Sequence, residues 1–340
     1  RMTADVLSGA KPQMSHKMAA ELVQTIWGIA VDKVTQLNAE RDLNLYMTGK
    51  AGEFVFKCAN SAESFATTLL QTQALLHLEK TNPEVQVPRI QLTAQGASEI
   101  IVDGHTVRLL SWMSGRPWHE TTNSPLQRHS IATAHANMVL ALADFSSEAP
   151  PPYLMWDVQH TADLGVHLTY LPSDLFTPVT NALALFNRHA APYLADLPRQ
   201  WCHNDIQPHN VVMQPQDTDQ IAGFLDFGDM VFTPVICDLA VALAYNIHEG
   251  PHAYESVVQY LVPFHRLRPL SELELMLLPA LIMARHCTTL IITAWRAALY
   301  PENATYILRN QPMAKRGLFQ LMRLPYADAI SYLRNHLDAR

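Results

Sequence analysis

The hydrophobic pattern of this chain changes character near residues 110–116, and this change constrains the fold more than any other feature of its 340 residues. Before it, short apolar runs such as 54–58 alternate with glycine-containing turns, which predicts a sheet of short antiparallel strands. After it, apolar residues recur at helical spacing, beginning where Ser124 can cap a helix and Pro125 can occupy its first turn. Strands first and helices afterwards predict an α+β fold of two lobes.

Two local patterns add detail to the first lobe. Strands are expected over 88–92 and 106–112, and Asp103-Gly104 between them favours a tight hairpin turn. A helix is expected over about 61–79. Its apolar stripe is predicted to contain Phe65, Leu69 and Leu76.

Charge and cysteine content narrow the class of protein. Against 31 Asp and Glu there are 24 Lys and Arg, which gives a net charge of −7, and no basic run is present. Nucleic acid is therefore not an expected partner. Four widely spaced cysteines favour buried thiols in a reduced compartment. Without a run of about 18 apolar residues, no membrane association is expected, and the predicted location is the cytoplasm.

One stretch of the helical half carries closely spaced polar groups between short apolar strands. Asp205 and Asn210 lie five residues apart, and Asp226 follows sixteen residues later, after a predicted hairpin. Such a hairpin would bring both loops to the same end of two paired strands. Carboxylate and amide oxygens suit Mg²⁺, and phosphoryl transfer needs metal ligands together with a carboxylate that positions the nucleophile.

These residues resemble a known set of loops. The stretches from His203 to Asn210 and from Leu225 to Asp229 are similar to the catalytic and metal loops of the aminoglycoside phosphotransferase and choline kinase group, a branch of the protein-kinase-like fold. The resemblance implies a kinase in which Asp205 is the catalytic base and His203 braces the loop. It also implies that Asn210 and Asp226 hold Mg²⁺.

The chain is also similar to hydroxylysine kinases in its segments 38–44, 107–117, 223–230 and 299–303. That likeness implies a nucleotide-binding lobe over 1–110, a hinge over 111–116 and a helical lobe over 117–340 that carries the catalytic loops and the substrate site. ATP or GTP would be the co-substrate. The implied nucleotide contacts are Asn38, Glu40, Arg41, Asp42 and Asn44 over the phosphates, Lys57, Gln71, and Ser111, Trp112 and Met113 in the hinge.

The sequence departs from the family pattern at two positions. Asn204 stands where the broader group has glycine, and asparagine tolerates unusual backbone angles. Kinase-like folds use a helix glutamate to orient the lysine. Here the best-placed residue is Gln71, and Glu63 is the alternative.

The acceptor is expected to be a small hydroxylated amine or amino acid, either an amino-alcohol or a hydroxy amino acid such as hydroxylysine or homoserine. Candidate contacts are Asp157, Asp229, Trp156 and Arg285, although packing in the core is the favoured interpretation for Trp156 and Arg285. Two alternatives remain open at this point, an antibiotic kinase of the same fold and a nucleotide-binding pseudokinase. The sequence predicts no oligomeric state.

Overall fold

The computed structural model describes residues 11–39, 41–247 and 250–339. The first helix, α1, spans His16–Trp27; the Ser15 hydroxyl accepts the Met18 N–H, and Gly28 ends the helix with φ of 68°. Beside it lies an antiparallel sheet of order β1-β2-β3-β5-β4. Its strands are β1 (Lys33–Gln36), β2 (Leu43–Gly49), β3 (Gly52–Cys58), β4 (Ile100–Val102) and β5 (His105–Ser111).

The strands of this sheet separate an apolar face from a polar one. Residues such as Leu45, Phe56 and Leu109 are buried against α1. Alternate positions place Lys57 between its cross-strand neighbours Asn44 on β2 and Arg108 on β5. Because side chains alternate along a strand, these three polar residues share the opposite face.

The hairpin prediction is confirmed, and one strand prediction is wrong. Asp103 and Gly104 form the turn with φ of 49° and 81°. Residues 88–92 do not form a strand, since only Ile90 bridges, to Leu110. β4 pairs with the first three residues of β5, so this segment has only the end of β5 left, where Gln91 donates to Leu109 and Ser111 donates to Arg89 through their backbone N–H groups.

The helix predicted over 61–79 is α2 (Phe65–Thr81), which begins after Ser64. Its predicted apolar face is wrong: Phe65 is 53% exposed and Leu69 is 39% exposed. Other residues are buried instead, and they belong to the core of the second lobe: Leu70, Ala74, Leu75 and Leu78.

Helices build the second lobe. The Ser124 hydroxyl caps α3 (Pro125–Leu142), as the sequence predicts. The remaining α-helices are α4 (Ser173–His189), α5 (Val235–Ala244), α6 (Glu255–Leu267), α7 (Glu272–Leu299), α8 (Ala304–Ile307), α9 (Gln311–Met322) and α10 (Tyr326–Asp338). Short 3₁₀ helices span Trp118–Glu120, Val158–Tyr170, Ala191–Asp196, Pro301–Asn303 and Leu308–Asn310.

Helix α7 runs through the centre of this lobe. It is long and apolar enough to cross a bilayer, yet 94% of its most apolar window is buried in the fold. Core helices of proteins that cross no membrane can be equally long and apolar. Burial against the surrounding helices therefore accounts for the composition of α7.

Two small sheets hold the polar loops of the second lobe. Strand β7 (Arg199–Cys202) pairs with β10 (Val231–Pro234), and β8 (Val211–Met213) lies between β6 (Arg116–Pro117) and β9 (Ile221–Phe224). The β8–β9 hairpin matches the prediction. The α+β fold class is confirmed, whereas the lobe boundary at 111–116 stays a prediction.

Candidate active site

The β8–β9 hairpin brings the two polar loops together. Strand β8 begins after Asn210 and β9 ends before Leu225, whose N–H donates to the Asn210 carbonyl at 2.8 Å. The Asn210 side-chain Nδ2 donates to the Asp205 carboxylate Oδ2 at 2.8 Å and to the Asp205 carbonyl at 3.0 Å. Asp205 and Asn210 are therefore in contact, and Asn210 is hydrogen-bonded to Leu225, the residue directly before Asp226.

His203 joins the same two loops from below. It is fully buried, its Nε2 lies 2.8 Å from the Leu225 carbonyl, and its Nδ1 accepts the Asp205 N–H at 3.1 Å. These two partners require a neutral ring with its proton on Nε2. Burial lowers the pKa of His203, so the ring stays neutral and orients the loop, as the resemblance implies.

The charge of Asp226 disfavours the ionisation of two nearby carboxylates, those of Asp205 and Asp229. Burial, together with the charge of Asp226, raises the pKa of Asp205 to about 6, although Arg285 and Asn210 act in the opposite direction. Burial and the charges of Asp205 and Asp226 raise the pKa of Asp229 to about 7. Such a concentration of negative charge is favourable for binding a cation.

The donor atoms in this region fit a hard divalent ion. Asp226 is exposed, has φ of 56° and accepts the Gly228 N–H through Oδ1 at 3.0 Å. Asn210 uses its amide nitrogen to hold Asp205, which leaves its amide oxygen for a cation. An all-oxygen set of this kind suits Mg²⁺ better than a metal that prefers nitrogen or sulfur.

A buried polar network supports the catalytic loop from α5 and α3. The Asp238 Oδ1 accepts the Asn204 N–H at 2.8 Å, and its Oδ2 lies 2.7 Å from the His135 Nε2. The His135 Nδ1 lies 2.7 Å from the Tyr260 hydroxyl. Although burial alone would raise the pKa of Asp238, the interactions with His135 prevail and lower it. Asp238 is therefore an ionised carboxylate that anchors the backbone next to Asp205.

Asn204 has a backbone conformation that is less favourable for asparagine than for glycine. Its φ is 70°, in the left-handed region that glycine adopts most easily. The side chain is 1% exposed, and neither its Oδ1 nor its Nδ2 has a hydrogen-bond partner among the described residues. The hydrogen bond from the Asn204 backbone N–H to Asp238 therefore fixes this residue, since its side chain makes none.

The loop predicted to cover the phosphates, residues 38–44, leads from β1 into β2. Asp42 is committed to the fold, because its Oδ1 accepts both the N–H and the Nδ2 of Asn60 at 3.0 Å. Arg41 is exposed, and its charge lowers the pKa of Asp229 against the effect of burial. Asn38 and Asn44 flank this loop, and Glu40 lies outside the described residues.

The predicted lysine partner takes a different place. Gln71 accepts a hydrogen bond from the Arg108 Nη2 at 3.3 Å and donates to Glu63 at 3.3 Å. The ammonium group of Lys57 makes no hydrogen bond or ion pair with any described residue. Both candidates for orienting Lys57 therefore gather around Arg108, which the sequence reasoning missed. Its signal was a single charged residue inside the apolar run Thr106–Leu110.

The three predicted hinge residues lie at the end of β5 and directly after it. The Ser111 N–H donates to the Arg89 carbonyl at 2.8 Å. The half-exposed Trp112 ring lies 4.6 Å from that of Tyr46. Met113 packs so closely on Gly223 that a Cβ there would approach its Cε to 2.1 Å.

One of the predicted substrate residues contacts Asp205, a second contacts that residue in turn, and a third is engaged elsewhere. The Arg285 Nη2 donates to the Asp205 Oδ1 at 3.2 Å, and its guanidinium lies 5.0 Å from the Trp156 ring centroid. Asp157 is buried, caps the 3₁₀ helix Val158–Tyr170 and accepts hydrogen bonds from Gln159 and Thr233. The geometry therefore favours a structural role for Asp157. Asp229 lies within the electrostatic reach of Asp205 and Arg285.

Comparison with known proteins agrees with this arrangement. A family model described as "Phosphotransferase enzyme family" matches residues 33–270. Hydroxylysine kinase from Danio rerio is 26% identical over 335 residues, which cover 93% of this chain and 92% of the relative. A microcompartment-associated aminopropanol kinase superposes with a TM-score of 0.70 at 17% identity, covering 92% of this chain and 98% of the other.

A second solved structure is an amicoumacin kinase in complex with AMP-PNP, Ca²⁺ and Ami. It superposes with a TM-score of 0.67 at 15% identity, covering 92% of this chain and 97% of the other. These likenesses confirm the protein-kinase-like fold implied by the catalytic-loop residues. The chain therefore belongs to the phosphotransferase enzyme family, and it is a kinase.

Proposed function

We propose that this kinase transfers the γ-phosphoryl group of ATP or GTP to a hydroxyl of an amino-alcohol or hydroxy amino acid, with Asp205 as the base. The observation that carries the proposal is the environment of the Asp205 carboxylate. Asn210 fixes one oxygen and Arg285 the other, while 17% of the side chain is exposed. With a pKa of about 6, Asp205 is ionised at neutral pH and still basic enough to accept the hydroxyl proton.

Asn210 and Asp226 are the residues that would hold Mg²⁺. When bound, the ion would neutralise charge on the nucleotide phosphates. The mutual repulsion of Asp205, Asp226 and Asp229 supports this assignment, because a divalent cation would relieve it. Asp205 itself remains bonded to Asn210 and can act on the acceptor.

The nucleotide would lie against the polar face of the first-lobe sheet. Lys57 has an ammonium group that no described residue engages, so it can pair with phosphate oxygens. The loop 38–44 would cover the phosphates, and Ser111 to Met113 would contact the base. Gln71 would act indirectly, through Arg108.

The acceptor assignment rests on the neighbours of Asp205 and on relatives of known name. Asp229 supplies negative charge for an ammonium group, and Trp156 supplies an apolar wall. The relatives are named for hydroxylysine and the structural neighbour for aminopropanol, both of which carry an amine and a hydroxyl. An antibiotic polycation fits less well, because residues 150–200 of the helical lobe carry few acidic side chains to receive it.

The decisive experiment measures Mg²⁺-dependent nucleotide turnover with hydroxylated amines and amino acids, using ATP and GTP. For an accepted substrate, Asp205→Asn should lower kcat by several orders of magnitude while nucleotide affinity changes little. The matched control is Asp217→Asn, at the exposed turn of the same hairpin. Normal phosphorylation by Asp205→Asn would refute the assigned base.

A further inference from the structure

The guanidinium of Arg285 has an unusual set of partners. This residue lies on α7 and is 4% exposed. Its Nη2 donates to Asp205 and to the Tyr245 hydroxyl, both at 3.2 Å, and its Nη1 donates to the Trp156 carbonyl at 3.5 Å. Its Nε is buried and has no hydrogen-bond partner among the described residues.

An unpaired buried N–H is costly, so a site that retains one points to a ligand that pairs with it. The Nε and Nη2 groups of arginine form one planar edge that matches the two oxygens of a carboxylate. In this site, Nη2 donates to Asp205 and Tyr245, whereas Nε has no hydrogen-bond partner among the described residues. The edge is therefore suited to a second anion.

We propose that this edge of Arg285 binds the carboxylate of the acceptor, so that one guanidinium connects the acceptor to Asp205. The inference rests on the proposed function and deepens it, because it makes Arg285 the residue that selects hydroxy amino acids over amino-alcohols. The acceptor carboxylate would replace the Tyr245 hydroxyl, since arginine binds an ionised acceptor more strongly than a neutral hydroxyl.

The surroundings of Arg285 support a fixed anchor. The guanidinium lies 5.0 Å from the Trp156 ring centroid and 6.0 Å from that of Tyr245. Burial between two aromatic rings restricts the side chain, so a carboxylate bound to it would be held at a defined position relative to Asp205. Asp229, in electrostatic reach of Arg285, is placed to pair with the ammonium group of the same acceptor.

A rival interpretation is that Arg285 contacts the transferred phosphoryl group. The two interpretations differ in what they predict for acceptors that lack a carboxylate. A phosphoryl contact would be used with every acceptor. A carboxylate contact would be used only with amino acids.

The test compares acceptors that differ only by the carboxylate, namely homoserine with 3-aminopropan-1-ol and 5-hydroxylysine with 1,5-diaminopentan-2-ol. With the unmodified enzyme, kcat/KM should be higher for the amino acid by about 10- to 150-fold. Arg285→Met should remove most of this preference by lowering kcat/KM for the amino acid much more than for the amine. The control Arg266→Met removes an exposed guanidinium and should keep the preference.

Arg285→Lys covers the case in which Arg285→Met does not fold, because it keeps the charge and loses the planar edge. It should retain only part of the preference. Equal kcat/KM for both members of a pair, or an equal loss for both in the Arg285 variants, would overturn the inference. Absence of turnover with every acceptor would instead count against the proposed function, and against this inference with it.

Discussion

Replacing Asp238 should loosen the catalytic loop, because this single buried carboxylate anchors both the Asn204 N–H and the His135 ring. In Asp238→Ala both groups stay buried and lose their acceptor. Leaving one such buried group unpaired costs about 1–3 kcal/mol, with the upper end expected for groups that bond a charged acceptor, and two such groups are affected here. We therefore expect the free energy of unfolding to fall by about 3–5 kcal/mol.

This loss converts into a measurable temperature shift. Unfolding entropies of about 2.1 cal/mol/K per residue give about 0.7 kcal/mol/K for 340 residues. The melting temperature should thus fall by about 4–7 °C. Asp238→Asn should lose only about 1–2 kcal/mol, because its amide oxygen can accept the Asn204 N–H and its amide nitrogen can donate to His135 Nε2 once the ring proton is on Nδ1.

The kinetic readout separates loop positioning from general stability. Asn204 precedes Asp205, so kcat of Asp238→Ala should fall by at least about tenfold at a temperature where the variant is folded. Its KM for nucleotide should change little, and Asp238→Asn should restore much of kcat. Asp196→Ala, at an exposed position, is the control. A melting temperature and kcat of Asp238→Ala equal to those of the parent would refute the reasoning.

Three further outcomes are expected. The folded-state pKa of about 7 for Asp229 exceeds the unfolded value of about 3.9, so its contribution to stability is present below pH 4 and is lost as pH rises through 7. In the ligand-free protein, Asp229→Asn should therefore raise the free energy of unfolding at pH 8 by up to about 4 kcal/mol, and the melting temperature with it. Both should change little at pH 4, and a larger rise at pH 4 than at pH 8 would contradict the raised pKa of Asp229. Gly115→Ala should lower the melting temperature by several degrees, because φ is 151° and the new Cβ would lie 2.3 Å from the Met213 carbonyl oxygen; an unchanged value in thermal unfolding would show that the hinge backbone adapts. Arg108→Met should destabilise by about 3–5 kcal/mol and speed hydrogen exchange in α2, since Gln71 loses its partner and nearby carboxylates lose their counter-charge; exchange as slow as in the parent would contradict this anchoring.

The catalytic loops could be predicted from sequence because their geometry is local. Asp205, Asn210 and Asp226 flank one hairpin, so strand pairing alone fixes which loops meet. The network behind them could not be found in this way. His135 and Asp238 are 103 residues apart, and nothing near either residue indicates the other. Their contact depends on how α3 packs against α5.

Competition between equally suitable partners explains the wrong predictions. Helix α2 has apolar residues on several sides, so its spacing does not select between the face with Phe65 and the face with Leu75. Packing against the second lobe decides, and it leaves Phe65 exposed. For residues 88–92, the pattern fits a strand, but β4 takes the first three residues of β5 and leaves this segment a single bridge, from Ile90 to Leu110. Sequence periodicity contains no information about such competition.

Helix α2 also limits how the enzyme can close over a nucleotide. Its buried side chains belong to the core of the second lobe, and at its far end His77 lies 3.1 Å from the Ala141 carbonyl of α3. A rigid swing of the whole first lobe would pull these apolar residues into water. A displacement of the strands alone would leave these residues buried, and it would act on the hydrogen bond that joins Arg108 of β5 to Gln71 of α2.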